Sequence, residues 1–221
     1  VAIAGNIIVV GAPGEESYYG AAYIFRTTDG GATYSQVTKL TQTYRWYNDY
    51  FGSAVAANGD IVAIGSPGEG RMTSSREGFV FIYRTTNGGA SYAEVGSYYG
   101  TTNARAEAGS SVAIDGDTVV MGGSDTYWSR VGSAYIFSTG NGGASYGQVA
   151  TMQAADAAAS DQFGRSVAID GDTIVIGANQ YDNSGTGVAY VFRTSDGGAT
   201  YGQVAKLTGS DVASADYFGS S

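Results

Sequence analysis

One phrase, written four times, constrains this chain more than any other feature. Its fullest copy runs Asp161-Gln162-Phe163-Gly164-Arg165-Ser166-Val167-Ala168-Ile169-Asp170-Gly171-Asp172 and continues through Thr173-Ile174-Val175-Ile176-Gly177-Ala178. It returns as Tyr50-Phe51-Gly52-Ser53-Ala54-Val55-Ala56, as Ala108-Gly109-Ser110-Ser111-Val112-Ala113-Ile114-Asp115-Gly116-Asp117, and as a copy cut in two, Asp216–Ser221 and Val1–Asn6. The shared valine stands at positions 1, 55, 112 and 167, spacings of 54, 57 and 55. A fixed period of this size marks a repeat architecture. The chain therefore reads as one domain over 1–221, with units of roughly 1–50, 51–107, 108–162 and 163–217, and with 218–221 completing the first. The split copy implies a full circuit whose head and tail lie side by side in one sheet. An excerpt from a longer array or a larger ring is the alternative.

Within the fourth unit, Asp170-Gly171-Asp172 separates two apolar runs, and Asp-Gly between such runs is a strong signal for a tight hairpin. The strand after it, with Ile174, Val175 and Ile176, is apolar on both faces, as expected of a strand sandwiched between sheets. A Gly-rich loop leads to a third apolar strand, Val188–Arg193, and Asp196-Gly197-Gly198 turns the chain into a more polar strand ending in Lys206-Leu207, suited to a solvent-facing edge. The other units follow the same order, turning at Asp29-Gly30-Gly31, Asn87-Gly88-Gly89 and Asn141-Gly142-Gly143. No helical period persists, and the alanine-rich run Ala154–Ala159 is too short to stand as a helix. Four-stranded antiparallel units repeated around an axis describe an all-β fold, a β-propeller with one blade per repeat. In this reading the first strand of the first blade is shared between the two chain ends.

Composition removes several functions. With 11 Lys and Arg against 20 Asp and Glu the formal charge is −9, so nucleic acid and anionic membrane surfaces are poor partners. The chain has neither cysteine nor histidine. Disulfides, thiolate metal sites and the commonest general base and metal ligand are thereby absent, which favours a non-enzymatic role with no cofactor. No apolar run approaches the roughly 20 residues of a spanning helix. The first residue is Val, as expected of a processed product or an excerpt, and a removed signal peptide would suit a secreted protein.

Phe-Gly stands at Phe51-Gly52, Phe163-Gly164 and Phe218-Gly219, with Ala108-Gly109 in the third copy, and Gly-Ala-Pro stands intact at Gly11-Ala12-Pro13. It is loosened to Gly65-Ser66-Pro67, Gly122-Gly123-Ser124 and Gly177-Ala178-Asn179. In this order the phrases resemble the FG-GAP repeats of integrin α-subunit propellers and their secreted relatives, and the resemblance covers the whole chain. It implies an extracellular or cell-surface recognition and adhesion module. The calcium loops common in integrin-like blades are not matched: Asp115-Gly116-Asp117, Asp170-Gly171-Asp172, Gly5-Asn6 and Asn58-Gly59-Asp60 are too short to supply six to eight oxygens. These acids are expected to form turns, and no metal is expected.

Strand order places the Asp-Gly and Asx-Gly-Gly hairpins on one side of the blades. The second connections and the blade-to-blade linkers, where all the length variation lies, project from the other. That side carries Tyr18 and Tyr19, the run Tyr44-Arg45-Trp46-Tyr47, the run Tyr127-Trp128-Ser129-Arg130, and Tyr98, Tyr99 and Tyr181. Aromatic and arginine side chains on loops of a rigid scaffold suit a protein or glycan ligand. Tyr18, Tyr19, Tyr44, Arg45, Trp46, Tyr47, Tyr127, Trp128 and Arg130 are the candidate binding residues; the plain alternative is that the rings plug the top of the propeller. Asp49, Asp161 and Asp216, each two residues before Phe, are expected to cap backbone N–H groups. A cation shared with Asp156 or Asp211 is the other use for them. Glu15 and Glu16 read as solvated charges, and the recurrent Tyr23, Tyr34, Tyr92, Tyr135, Tyr146, Tyr190 and Tyr201 as blade packing. The leading expectation is a non-catalytic recognition module. A self-associating building block of a surface layer, filament or matrix and a polysaccharide-degrading enzyme are the alternatives.

Overall fold

A computed structural model describes residues 1–43, 45–68, 78–100, 107–124, 131–179 and 185–221. Among these residues sixteen strands form four four-stranded antiparallel sheets, each in simple meander order. The first blade comprises β1 (Ala2–Ala4), β2 (Ile7–Ala12), β3 (Ala21–Arg26) and β4 (Ser35–Leu40). The second comprises β5 (Ala54–Asn58), β6 (Ile61–Ser66), β7 (Phe79–Arg84) and β8 (Ala93–Tyr99). The third comprises β9 (Ala108–Asp115), β10 (Thr118–Gly123), β11 (Ser133–Ser138) and β12 (Gly147–Met152). The fourth comprises β13 (Phe163–Asp170), β14 (Thr173–Ala178), β15 (Val188–Arg193) and β16 (Gly202–Leu207). The protein is an all-β, four-bladed propeller, as the repeats predict. The first hairpins close where expected: Ala4 pairs with Ile7, Asn58 with Ile61, Asp115 with Thr118 and Asp170 with Thr173. Each two-residue loop starts with a positive-φ glycine, Gly5, Gly59, Gly116 or Gly171.

Apolar residues on both faces of the second and third strands fill three joints between successive blades. Val9, Ile24 and Leu40 of the first blade meet Val62, Ile64 and Phe81 of the second. Ile61, Ala63 and Ile82 meet Val119, Met121 and Phe137, and Val120, Ile136 and Met152 meet Ile174, Ile176 and Tyr190. The Phe of the repeated phrase plugs the first and third of these: Phe51 lies 5.4 Å from the Phe81 ring and Phe163 lies 5.6 Å from that of Tyr190, centroid to centroid. Where Ala108 replaces Phe, Tyr98 supplies the ring, packing 4.8 Å from Phe137 and donating its hydroxyl hydrogen to Tyr146 O at 2.6 Å. Tyr98, grouped by the sequence with the loop aromatics, is thus a joint residue.

At each joint the glycine after the Phe position lies on the glycine of the preceding blade's second strand. A Cβ on Gly11, Gly65, Gly122 or Gly177 would fall well inside contact distance of the carbonyl oxygen of Gly52, Gly109, Gly164 or Gly219 respectively. These are backbone obstacles that no rotamer change relieves. Gly65→Ala is therefore expected to lower unfolding free energy by at least about 1–3 kcal/mol. Gly202→Ala, with open space around the added methyl, should leave it within about 0.5 kcal/mol. Denaturant titration of both variants checks the contrast.

The strand expected from the two chain ends together is not formed. β1 consists of Ala2–Ala4 alone, paired with β2. In the second blade Phe51 bridges Gly20 of the preceding blade while Gly52 N–H donates to Gly65 O of its own. For Phe218 and Gly219 the described contacts are to the preceding blade: Phe218 N–H donates to Thr186 O at 3.1 Å, Phe218 bridges Gly187, and Gly219 sits on Gly177. These contacts keep the last residues with the fourth blade. Accordingly Val175 and Val191 of that blade, and Ile8 and Val10 of the first, are only half-buried, although sequence reads their strands as covered on both faces.

The third connections contain a device that the Asx-Gly-Gly signature only partly reveals. Thr27 donates its hydroxyl hydrogen to Asp29 Oδ1 at 2.7 Å and accepts from Gly31 N–H at 2.8 Å. Asp29 in turn accepts from the amide and hydroxyl of Thr33 at 2.9 and 2.6 Å. Thr85, Thr139 and Thr194, all buried, repeat this role with Asn87, Asn141 and Asp196. The Thr33 hydroxyl, then its amide and Thr27, hold the Asp29 carboxyl well below the usual range; Thr200 and then Thr194 do the same for Asp196. A carboxyl whose folded pKa is depressed contributes stability that is present above its unfolded pKa, about 4, and lost as pH falls toward the folded value. Replacing Asp29 and Asp196 by Asn, the residue blades two and three use, should keep the loops and flatten the fall in Tm between pH 4 and 2 (about that interval). Thermal melts across pH read this directly.

Candidate functional site

The side opposite the hairpins is best defined where the first blade meets the second. The connection from β2 to β3 makes a tight turn at Glu15–Tyr18, with Glu16, Ser17 and Tyr18 in the left-handed region at φ 48°, 60° and 69°. It is tied to the linker entering the second blade: Tyr50 N–H donates to Tyr18 O at 3.0 Å and Phe51 N–H to Tyr19 O at 3.3 Å. On the linker itself, Asp49 Oδ2 accepts from Trp46 N–H at 2.6 Å, and Asp49 N–H donates to Trp46 O at 3.2 Å. Asp161 and Asp216 cap Ala158 and Ala213 N–H in the same way at 2.7 Å. The expected capping role holds in all three.

Side chains then stitch the turn to the sheet. Glu15 accepts from Lys39 Nζ and, at 2.6 Å, from the Tyr23 hydroxyl; Glu16 accepts from Lys39 at 3.1 Å and from Arg45 Nη1 at 2.7 Å. Arg45 also lies over the Tyr19 ring, 5.2 Å from its centroid. Lys39, and after it Tyr23, lowers the Glu15 pKa; Lys39, and after it Arg45, lowers that of Glu16; the two carboxylates raise Lys39. Glu15 and Glu16 are thus bound partners, not the solvated charges the sequence suggests. Adjacent carboxylates gave no hint of it, because their cations arrive from β4 and from the linker.

What this network leaves outward is a row of rings. Tyr18 is 47% exposed, Trp46 44% and Tyr47 57%, with Tyr18 edge-on to Tyr47 at 6.5 Å and 5.4 Å from Tyr50. Tyr19 and Arg45 are half-buried beneath them. Of the nine candidate binding residues, the structure therefore brings Tyr18, Tyr19, Arg45, Trp46 and Tyr47 together, three as surface and two as support. Tyr44, Tyr127, Trp128 and Arg130 lie outside the described residues, as does Tyr181. Tyr34, read as blade packing, is instead exposed on the uncovered side of the first blade. Asp156 accepts from Lys206 at 2.7 Å and from the Tyr190 hydroxyl at 2.9 Å. Asp115 joins the first hairpins of three blades, accepting from Asn58 Nδ2 at 3.3 Å and Gly171 N–H at 2.7 Å. Among the described residues no three acidic side chains converge as a cation site would need, and no helix is long and apolar enough to cross a membrane.

Fold and loop face together define a β-propeller scaffold of the kind that displays interaction loops on one side. The FG-GAP repeat family model matches residues 34–83 and 146–192, each stretch running from the fourth strand of one blade to the third of the next, so FG-GAP repeats occur at two places in this chain. Among solved structures it is similar to Sqt1 of Saccharomyces cerevisiae, at 12% identity and a TM-score of 0.52. The alignment covers 94% of this chain and 46% of that one, so the chain spans under half the length of that protein. No curated protein matches it in sequence.

Asp49 is flanked by Asn48 and Tyr50, both non-glycine residues at positive φ, 67° and 54°. Such residues are costly unless their surroundings fix them. Asp49→Ala is expected to destabilise the protein by about 1–3 kcal/mol and to expose the linker at Trp46 to limited proteolysis ahead of global unfolding.

Proposed function

We propose that this protein is a non-catalytic, extracellular recognition module that binds glycan or protein through the rings of Tyr18, Trp46 and Tyr47. The observation that carries this reading is the exposure of three large aromatic side chains on a rim whose backbone and charged neighbours are fixed. Lys39, Glu15, Glu16 and Arg45 neutralise one another, so the rings stand beside a charge-balanced patch in an otherwise acidic protein. Rigid rings present contact area at small entropic cost, which suits stacking on a sugar or anchoring a protein loop. The extracellular setting rests on the FG-GAP repeats.

A glycan array followed by titration of any hit tests this. Trp46→Ala and Tyr47→Ala should each weaken binding at least about tenfold, the scale expected of central aromatic anchors, with the melting temperature held. Binding unaffected by both substitutions would move the site elsewhere on the molecule.

A further inference from the structure

On the hairpin side, a cavity of about 210 Å³ opens in the cleft between the first and second blades. Asn6, Ile7 and Arg26 line it from the first blade, and Asp60, Gly88, Gly89 and Tyr92 from the second. It lies on the opposite side of the blades from Tyr18, Trp46 and Tyr47 and shares no residue with them.

Its glycines bring two donors together. A Cβ on Gly89 would lie 3.3 Å from the Tyr92 hydroxyl oxygen and 3.4 Å from Arg26 Cδ, and one on Gly88 would lie 3.9 Å from Arg26 Nη2. Arg26 thus reaches across the cleft to a turn that Thr85 fixes by accepting from Gly89 N–H at 2.9 Å. The Tyr92 hydroxyl is buried without a hydrogen-bond partner, and among the described residues neither Arg26 nor Asp60 makes an ion pair. Burial, and after it the Asp60 charge, raises the Tyr92 pKa, so this hydroxyl remains a donor at neutral pH. At the third joint the equivalent Tyr201 hydroxyl has the Thr118 side chain as its partner. Ile7 stands at that place here, opposite Arg26 as Thr118 is opposite Ser138, and offers no partner. A buried hydroxyl is costly to leave unpaired.

The charges narrow the choice of ligand. Arg26 belongs to one wall and Asp60 to the other, one charge of each sign. A simple anion would meet Asp60, a simple cation would meet Arg26, and a neutral ligand would leave both charges unmatched. This balance is particular to the first joint, where the hairpin of the leading blade carries Asn6. At the second joint the same repeat positions hold Asp60, Asp117 and Arg84, and at the third Asp117, Asp172 and Ser138, so acid is in excess at both.

We propose that this cavity binds a free amino acid as its zwitterion, the carboxylate held by the Arg26 guanidinium and the Tyr92 hydroxyl and the ammonium by Asp60. A guanidinium fork and a hydroxyl grip a carboxylate through charge-assisted hydrogen bonds. The volume is below the roughly 300 Å³ at which cavities for drug-sized ligands begin, which suits a small molecule with both charges close together.

Calorimetric titration of the 221-residue protein with L-alanine, L-serine and L-glutamine tests this, with acetate, methylamine and glucose as the single-charge and uncharged controls. At least one amino acid should bind with a Kd of about 1 mM or below, and all three controls at least about tenfold more weakly. Arg26→Gln and Asp60→Asn should each weaken amino-acid binding at least about tenfold; Asp60 is exposed, so the second variant should keep the melting temperature. Tyr92→Phe should weaken binding about threefold or more without lowering the melting temperature of the free protein, since no hydrogen bond is lost. Arg84→Gln at the second joint and Trp46→Ala on the other side should leave the affinity unchanged. Absence of binding by every amino acid, an equal or tighter response to glucose, or binding that survives both Arg26→Gln and Asp60→Asn overturns the proposal.

Discussion

Where two blades meet, main chain lies on main chain. The carbonyl of Gly52, Gly109, Gly164 or Gly219 occupies the space a side chain would need on the glycine of the second strand before it. That approach brings the inner ends of adjacent sheets together and leaves the wedge between them to be filled by larger residues farther out, which is why Phe51 and Phe163 are fully buried. It also explains the sequence grammar. The Phe-Gly pair contributes a plug and a bare backbone, and the glycine of Gly-Ala-Pro receives that backbone. Two motifs that are distant in each repeat are the two sides of one contact.

Because this contact recurs with the period, most of the fold was legible in the sequence. Strand number, meander order, two-residue hairpins and the two-sided distribution of loops follow from glycine placement and from apolar runs too continuous for a sheet with a wet face. The substitution at Ala108 was visible but its repair was not, since Tyr98 reaches the same space from the end of a different strand. Thr27, Thr85, Thr139 and Thr194 were likewise invisible as a class; a threonine two residues before an Asx-Gly-Gly turn gives no pattern of its own until its hydroxyl is seen bridging the loop. The junction of the chain ends was misread for a related reason. Periodicity says that the last residues continue a strand, but it does not say which copy of that strand receives them.

The candidate site was half legible. Aromatic residues on the long-loop side can be picked out by type, and Tyr18, Trp46 and Tyr47 do share a surface. Their support cannot be picked out, because Glu15, Glu16, Lys39 and Arg45 are separated in sequence and meet through the pairing of β3 with β4 and the return of the linker over the turn. Exposed ion pairs contribute little to stability singly. Here their consequence is geometric: four charged side chains and one ring, that of Tyr19, hold a strained turn and a strained linker in one arrangement.

Each blade is apolar on both faces, so the joint, not the blade, is the unit that removes this surface from water. In repeat proteins stability is close to a sum of intrinsic and nearest-neighbour terms, and terminal repeats usually turn a polar face outward. The end blades here do not. Ile3, Val10 and Tyr23 at one end and Val175, Val191 and Leu207 at the other keep the pattern of interior blades. These residues give the two outer faces the same apolar character as the three joints between them.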